Sequence, residues 1–188
     1  MKIAVIGGIG SGKSRVIECL DRLGERTCDC DEIYKDIMSD REYIRQVGEA
    51  FGVAQEGVID KKALGKIVFS DEAQLKKLNA LAHPLVFKRV DEIYKEQEGN
   101  LYIEVSAFDE SMAKYFDEIV FIKSEQSQRV ERIKARNNFE ENYILSIMSK
   151  QMSAQRMQEL ADFVIVNDSD LEELNRQVEY LIAFHTFN

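Results

Sequence analysis

The apolar residues of this chain fall into two rhythms. Short apolar runs occupy residues 3–6, 101–105 (interrupted by Glu104), 119–122 and 163–166, each bounded by glycine or polar turns, the pattern of buried strands. After the first run, Val16, Ile17, Leu20 and Leu23 recur at helical spacing until Gly24, a residue suited to a helix C-cap. Strand-like runs followed by helical stretches predict an α/β fold built on a parallel sheet.

Between residues 31 and 97 the pattern is almost purely helical, from Ile33, Tyr34 and Ile37 through Ile44, Val47 and Phe51 to Val86, Val90 and Ile93. A helical insertion is therefore expected after the second strand. Its His83-Pro84 step carries the only proline, and because proline breaks the helical ladder and restricts its predecessor, a junction between two helices is expected there. A second helical segment, from 126 to about 160, carries a basic bias through Arg129, Arg132, Lys134, Arg136, Lys150 and Arg156. No linker, repeat or shift in composition divides the chain. Residues 1–188 are read as a single domain with an insertion at about 31–97 and a lid-like segment at about 126–157.

Composition narrows the picture. With 188 residues, 45% hydrophobic and 31% charged, the chain can bury a core, which excludes disorder and collagen-like repetition. The 25 Lys+Arg against 34 Asp+Glu leave a formal charge of −9, which argues against a general affinity for nucleic acid or anionic membrane. An anionic ligand must be held locally. Met1-Lys2 runs straight into the first apolar run without the order of a secretory leader, so a reduced, cytoplasmic setting is expected. Cys28-x-Cys30 lacks the second ligand pair of a zinc site, and two residues one apart on a strand share a face, so Cys19, Cys28 and Cys30 are read as small buried or half-buried residues. No apolar stretch approaches the roughly 20 residues that span a bilayer.

Gly7-Gly8-Ile9-Gly10-Ser11-Gly12-Lys13-Ser14 fits G-x-x-x-x-G-K-[ST]. Such a loop must turn successive backbone N–H groups inward around a phosphate, and glycine tolerates the unusual angles this requires. The helix starting near Lys13 adds its positive end, Lys13 can reach the β- and γ-phosphates, and the Ser14 hydroxyl can ligate Mg²⁺. A strand before the motif and an amphipathic helix after it set it apart from an accidental glycine-rich turn. The loop indicates a triphosphate and leaves the acceptor open.

Beyond this loop the chain resembles the dephospho-coenzyme A kinases. The likeness rests on the run from Val5 to Ser14, on Cys28-Asp29-Cys30-Asp31-Glu32-Ile33, on Phe51-Gly52 with Gly57-Val58-Ile59-Asp60-Lys61, and on Val68-Phe69-Ser70-Asp71 and His83-Pro84. It continues through Arg132 and Arg136, the stretch from Gln151 to Arg156, and Ala161-Asp162-Phe163-Val164-Ile165-Val166-Asn167. The chain departs from the family pattern at Ile6, Arg15 and Lys61, and most at residues 105–111, where a Pro-Leu-Leu-Phe-Glu-like stretch is usual. The resemblance implies a P-loop NTPase fold, a central parallel sheet of about five strands with helices on both faces, and MgATP-dependent phosphorylation of the ribose 3′-hydroxyl of dephospho-CoA. The departures at 105–111 leave two alternatives: a kinase of another small acceptor such as a nucleoside or nucleotide, or a relative that holds ATP without turnover.

The resemblance also distributes roles. Lys13, Asp31 and Arg136 become the catalytic candidates, with Asp31 taking the acceptor proton and Arg136 stabilising transferring charge. An Asp just before Glu32-Ile33-Tyr34 is equally a helix N-cap. ATP would be held by Gly8, Gly10, Ser11, Gly12, Lys13, Ser14, Arg15, Arg132 and Asn167, the last in a loop that packs on adenine in the family, and Ser14 would hold Mg²⁺. Arg132 and Arg136, four apart on a helix, share a face and would close together over the phosphoryl group. Asp29 is read as backup to Asp31 or as a second Mg²⁺ or water contact. Asp29, His83, Asp109 and Glu110 are assigned to the acceptor side, with either Asp109 or Glu110 in the family's acidic position. Arg156 is a further candidate, and Arg129 and Lys150 are read as surface residues.

Overall fold

The computed structural model describes residues 1–187. In chain order its elements are β1 (Lys2–Ile6), α1 (Lys13–Arg22), β2 (Arg26–Asp29), α2 (Cys30–Ile37), α3 (Arg41–Phe51), β3 (Ala54–Gln55), β4 (Val58–Ile59), α4 (Lys61–Ser70) and α5 (Glu72–Lys95). There follow β5 (Leu101–Glu104), a 3₁₀ turn (Glu110–Tyr115), β6 (Glu118–Lys123), α6 (Gln126–Asn137), α7 (Glu141–Met148), α8 (Ala154–Leu160), β7 (Phe163–Val166) and α9 (Leu171–Phe187). The chain forms two compact units, Met1–Asp29 with Glu98–Asn188, and Cys30–Gln97.

The first unit holds a five-stranded parallel sheet in the order β2-β5-β1-β6-β7. Ile3 through Ile6 are all buried because β1 lies at the centre, with neighbours on both edges and side chains covered on both faces. One face packs Ile3, Val5, Tyr102, Val120, Ile122 and Ile165 against Val16 and Leu20 of α1 and Leu174, Val178 and Leu181 of α9. Removing such aliphatic side chains from water contributes roughly 1.5–3 kcal/mol each. The alternate residues Ala4, Ile6, Ile103, Ile119 and Phe121 are buried on the other face. Near the end of α9, buried His185 meets the Tyr102 hydroxyl through Nδ1 and the Glu118 carboxylate through Nε2, each at 2.8 Å. At the opposite edge the Gln177 side chain accepts from the Val166 N–H and donates to the Val166 carbonyl, both at 2.9 Å.

The second unit has its own core around Tyr43, Val47, Ile59, Leu64, Val68, Leu78 and Ala82. Asp40, Asp60 and Asp71 cap α3, α4 and α5 by accepting backbone N–H bonds. Two expectations fail here. Pro84 does not separate two helices, because α5 runs unbroken from Glu72 to Lys95. An internal proline costs ~3 kcal/mol, and the buried stripe Leu78, Ala82, Val86, Phe87 and Val90, continuous across it, offsets that cost. Nor is the unit purely helical, since β3 and β4 form an antiparallel hairpin pairing Ala54 with Ile59 and Gln55 with Val58. Glu56 and Gly57, at φ 51° and 77°, supply the paired left-handed angles of a tight hairpin turn.

The lid-like stretch is three helices, α6 to α8, the first ending at Asn138 with φ 54°. Cys30 opens α2 instead of extending β2, so it shares no strand face with Cys28. Asp31 accordingly lies inside the first turn of α2 and is not its N-cap. Among the described residues no helix is long and apolar enough to cross a membrane.

Burial, reinforced by the Asp29 carboxylate, pushes the Cys28 thiol up to about 12. Its neutral form therefore contributes stability below the unfolded thiol value of ~8.5, and that contribution is lost as pH rises toward the folded value. Native protein at about pH 8 should label at Cys28 with an alkylating reagent more than ~10-fold slower than an unfolded sample, since the thiolate is the nucleophile. Peptide mapping of both samples measures the difference.

Candidate active site

The carboxyl end of β1 runs into the loop of residues 7–14, and beside it lies a cleft of about 790 Å³, a size that suits a nucleotide. Such a crevice is expected where the connections of an open parallel sheet diverge, here with β5 on one side of β1 and β6 on the other. Lys13 heads α1, is buried, and donates from Nζ to the Gly7 carbonyl at 2.9 Å, so its ammonium folds back across the loop. The Ser14 hydroxyl donates to Glu104 Oε1 at 3.1 Å. Glu104, buried at the end of β5, also lines the cleft.

The loop is held from behind. Asn167 Nδ2 donates to the Ser11 carbonyl at 2.7 Å. The Arg132 guanidinium donates to the carbonyls of Asn167 (2.8 Å), Gly10 (3.4 Å) and Ser11 (3.5 Å), to Ser124 Oγ (3.1 Å) and to Gln128 Oε1 (3.1 Å). In a trans peptide the C=O and N–H point in opposite directions. Carbonyls tied toward α6 and the end of β7 thus turn the N–H of Gly12 and its neighbours the other way. Gly12 adopts φ 95°, and a Cβ there would stand 2.1 Å from Asn167 Nδ2. Only glycine meets both the angle and the approach.

Gly10, Gly12, Lys13, Ser14, Arg15, Arg132, Arg136 and Asn167 all line the cleft. Arg15 is exposed and paired with Glu18 at 2.8 Å, and Arg136 is exposed with Nε on Asn137 Oδ1 at 2.8 Å. Gly8 and Ser11 belong to the loop but not to the lining, and Ser11 is buried. Asp29 pairs in register with Glu104 across the β2–β5 ladder. Asp109 caps the 3₁₀ turn through Ser111, while Glu110 takes a two-pronged bond from Arg156, Nη2 at 2.5 Å and Nε at 3.2 Å. Asp31 and His83 belong to the second unit, Asp31 exposed and His83 edge-on to Phe87 within α5 at a ring separation of 5.9 Å.

Sequence reasoning missed two features. Glu104 was readable only as a polar position inside an apolar run; its value appears once β5 is known to lie beside β1. Arg129 is not a surface residue: it is half-buried, its Nε donates to the Ile9 carbonyl at 2.9 Å, and desolvation lowers its pKa.

A central parallel sheet whose first strand feeds a glycine loop, a buried lysine and a helix N-terminus defines a P-loop kinase fold. The chain shares that fold with TT1252 from Thermus thermophilus (TM-score 0.85, 26% identity, 98% of this chain and 97% of that one). It shares it also with the dephospho-CoA kinase of Campylobacter jejuni (TM-score 0.71, 22% identity, 100% of both chains). Residues 1–173 match the family model for dephospho-CoA kinase, and a curated dephospho-CoA kinase from Fusobacterium nucleatum is 33% identical over 95% of each chain. The chain belongs to the dephospho-CoA kinase family.

Gly12→Ala would force a left-handed alanine and break the Asn167 bond to Ser11, together costing about 2–3 kcal/mol. We expect MgATP affinity to fall at least ~10-fold, by titration calorimetry, with a lower Tm.

Proposed function

We propose that this protein transfers the γ-phosphoryl group of ATP to the ribose 3′-hydroxyl of dephospho-CoA, releasing ADP and CoA, and that it works in the cytoplasm. The observation that carries the reading is the joining of Lys13, Ser14 and Glu104 at one nucleotide-sized cleft in a chain matched to this family along most of its length.

In the transfer, the bond between the γ-phosphorus and the β–γ bridging oxygen breaks while one forms to the 3′-oxygen. The acceptor proton must leave, and the transferring group's charge must be balanced. Lys13, whose Nζ folds onto the Gly7 carbonyl beside the cleft, is assigned to the phosphates. Asp31, in the first turn of α2 and open to solvent, accepts the acceptor proton, a role supported by the family resemblance. The two lid arginines divide their work. Arg132 is committed to loop and main-chain oxygens, whereas Arg136, exposed, lining the cleft and bonded to its sequence neighbour Asn137, is the one assigned to stabilise the transferring charge, a role supported by the family resemblance. Ser14 and Glu104 suit magnesium, a hard cation that takes oxygen ligands and draws most of its shell from water and nucleotide phosphates. Among the described residues no cluster of three or more acidic, histidine or cysteine side chains is placed to hold a metal ion. Bound there, magnesium would offset phosphate charge.

ADP release with MgATP should be rapid with dephospho-CoA and near background with AMP, adenosine, other nucleosides or no acceptor. Turnover confined to another acceptor, or binding without turnover, would overturn the assignment. Asp31→Asn should lower kcat by roughly 10²- to 10⁴-fold while MgATP affinity stays within about twofold, by steady-state kinetics and calorimetry.

A further inference from the structure

Two side chains with no part in the catalytic roles grip Ile9. Its N–H donates to Gln151 Oε1 at 2.8 Å, and its carbonyl accepts from Arg129 Nε at 2.9 Å. The N–H and C=O of one residue belong to its two flanking peptide planes, so the pair of bonds fixes both planes. On the first plane the Gly8 carbonyl, facing away from Gln151, accepts from the Ser11 N–H at 3.1 Å. On the second plane the partner of the Ile9 carbonyl is the Gly10 N–H, which must point away from Arg129, and Gly10 lines the cleft. Arg129 also packs closely on the loop: a Cβ on Gly8 would stand 2.2 Å from its Nη2. The half-buried guanidinium is desolvated against the loop.

We infer that Arg129 and Gln151 are positioning residues that hold the tip of the phosphate loop in its binding form, Arg129 by directing the Gly10 N–H toward phosphate and Gln151 by locking the preceding peptide. Gln151 lies beyond α7 and Arg129 in α6, so the lid segment sets the loop through hydrogen bonds to backbone, separately from any arginine reaching phosphate. The inference rests on the nucleotide half of the proposed function and not on the identity of the acceptor.

The test compares Arg129→Met, Arg129→Gln, Gln151→Met and the double Met variant by calorimetric titration with MgATP in the absence of acceptor, alongside turnover with dephospho-CoA. If each Met variant leaves only about one-tenth to one-fifth of the loops in the binding form, Kd rises about 5- to 10-fold, because apparent Kd scales inversely with that fraction. A glutamine Nε2 stands as many bonds from its Cα as an arginine Nε, so Arg129→Gln can keep the bond to Ile9 without the charge. It should return Kd to within about twofold of wild type. The double variant should bind less weakly than the product of the single effects, because both bonds hold one residue.

Equal MgATP affinity in wild type and both Met variants, whatever their Tm, overturns the inference. So does an Arg129→Gln variant as weak as Arg129→Met, since the charge would then be what acts. If Arg129→Met does not fold, Gln151→Met and Arg129→Gln still decide the matter. Wild type that binds MgATP but leaves dephospho-CoA unphosphorylated would overturn the acceptor assignment while leaving the clamp to be judged on Kd alone.

Discussion

The opposed directions of C=O and N–H within a peptide plane are the constraint on which the site depends. A loop that offers N–H groups to phosphate must send carbonyls backward, and buried carbonyls need donors. The donors here come from far along the chain: Asn167 beyond β7 for Ser11, Arg132 in α6 for Gly10 and Ser11, and Arg129 for Ile9. The central position of β1, with β6 and β7 stacked on one side of it, delivers those donors to one place. The phosphate loop is thus a product of the whole parallel sheet, although its sequence is eight consecutive residues.

The same arrangement resolves an electrostatic conflict. A chain of formal charge −9 gathers Lys13, Arg15, Arg132 and Arg136 around one cleft. Glu18 and Glu104 share that lining and moderate it, and Lys13 and Arg132 are already bound to main-chain oxygens. Lys13 and Arg132 are held in place before any ligand arrives, whereas Arg15 and Arg136 are exposed. Pre-set dipoles and charges need little reorganisation during transfer, which is the main source of their value in phosphoryl chemistry.

Legibility in the sequence tracked the range of the signal. The loop of residues 7–14 was readable because its glycines, lysine and serine are adjacent, and four of the five strands because each is a predominantly apolar run. The remaining strand, β2, is half-buried and carries Arg26 and Thr27, so only the neighbouring Asp29-Cys30-Asp31 stretch located it. The short β3 and β4 left no rhythm to detect, and their turn showed only as Glu56-Gly57. Pro84 misled because proline states a local penalty, while the stripe from Leu78 to Val90 that overrides it is a tertiary property. Arg129 and Gln151 could not be read at all as loop partners. Each bonds to backbone more than a hundred residues away, and a backbone partner leaves no residue type to recognise.

The bond from Gln177 to Val166 bears on how this molecule behaves in company. β7 is an outer strand of the sheet, and the free hydrogen-bonding rim of such a strand invites another chain to add itself. By answering both the N–H and the C=O of Val166, the glutamine amide impersonates one residue of a neighbouring strand. With Val166 itself exposed, that single amide occupies one residue's width of the rim where another strand would have to pair.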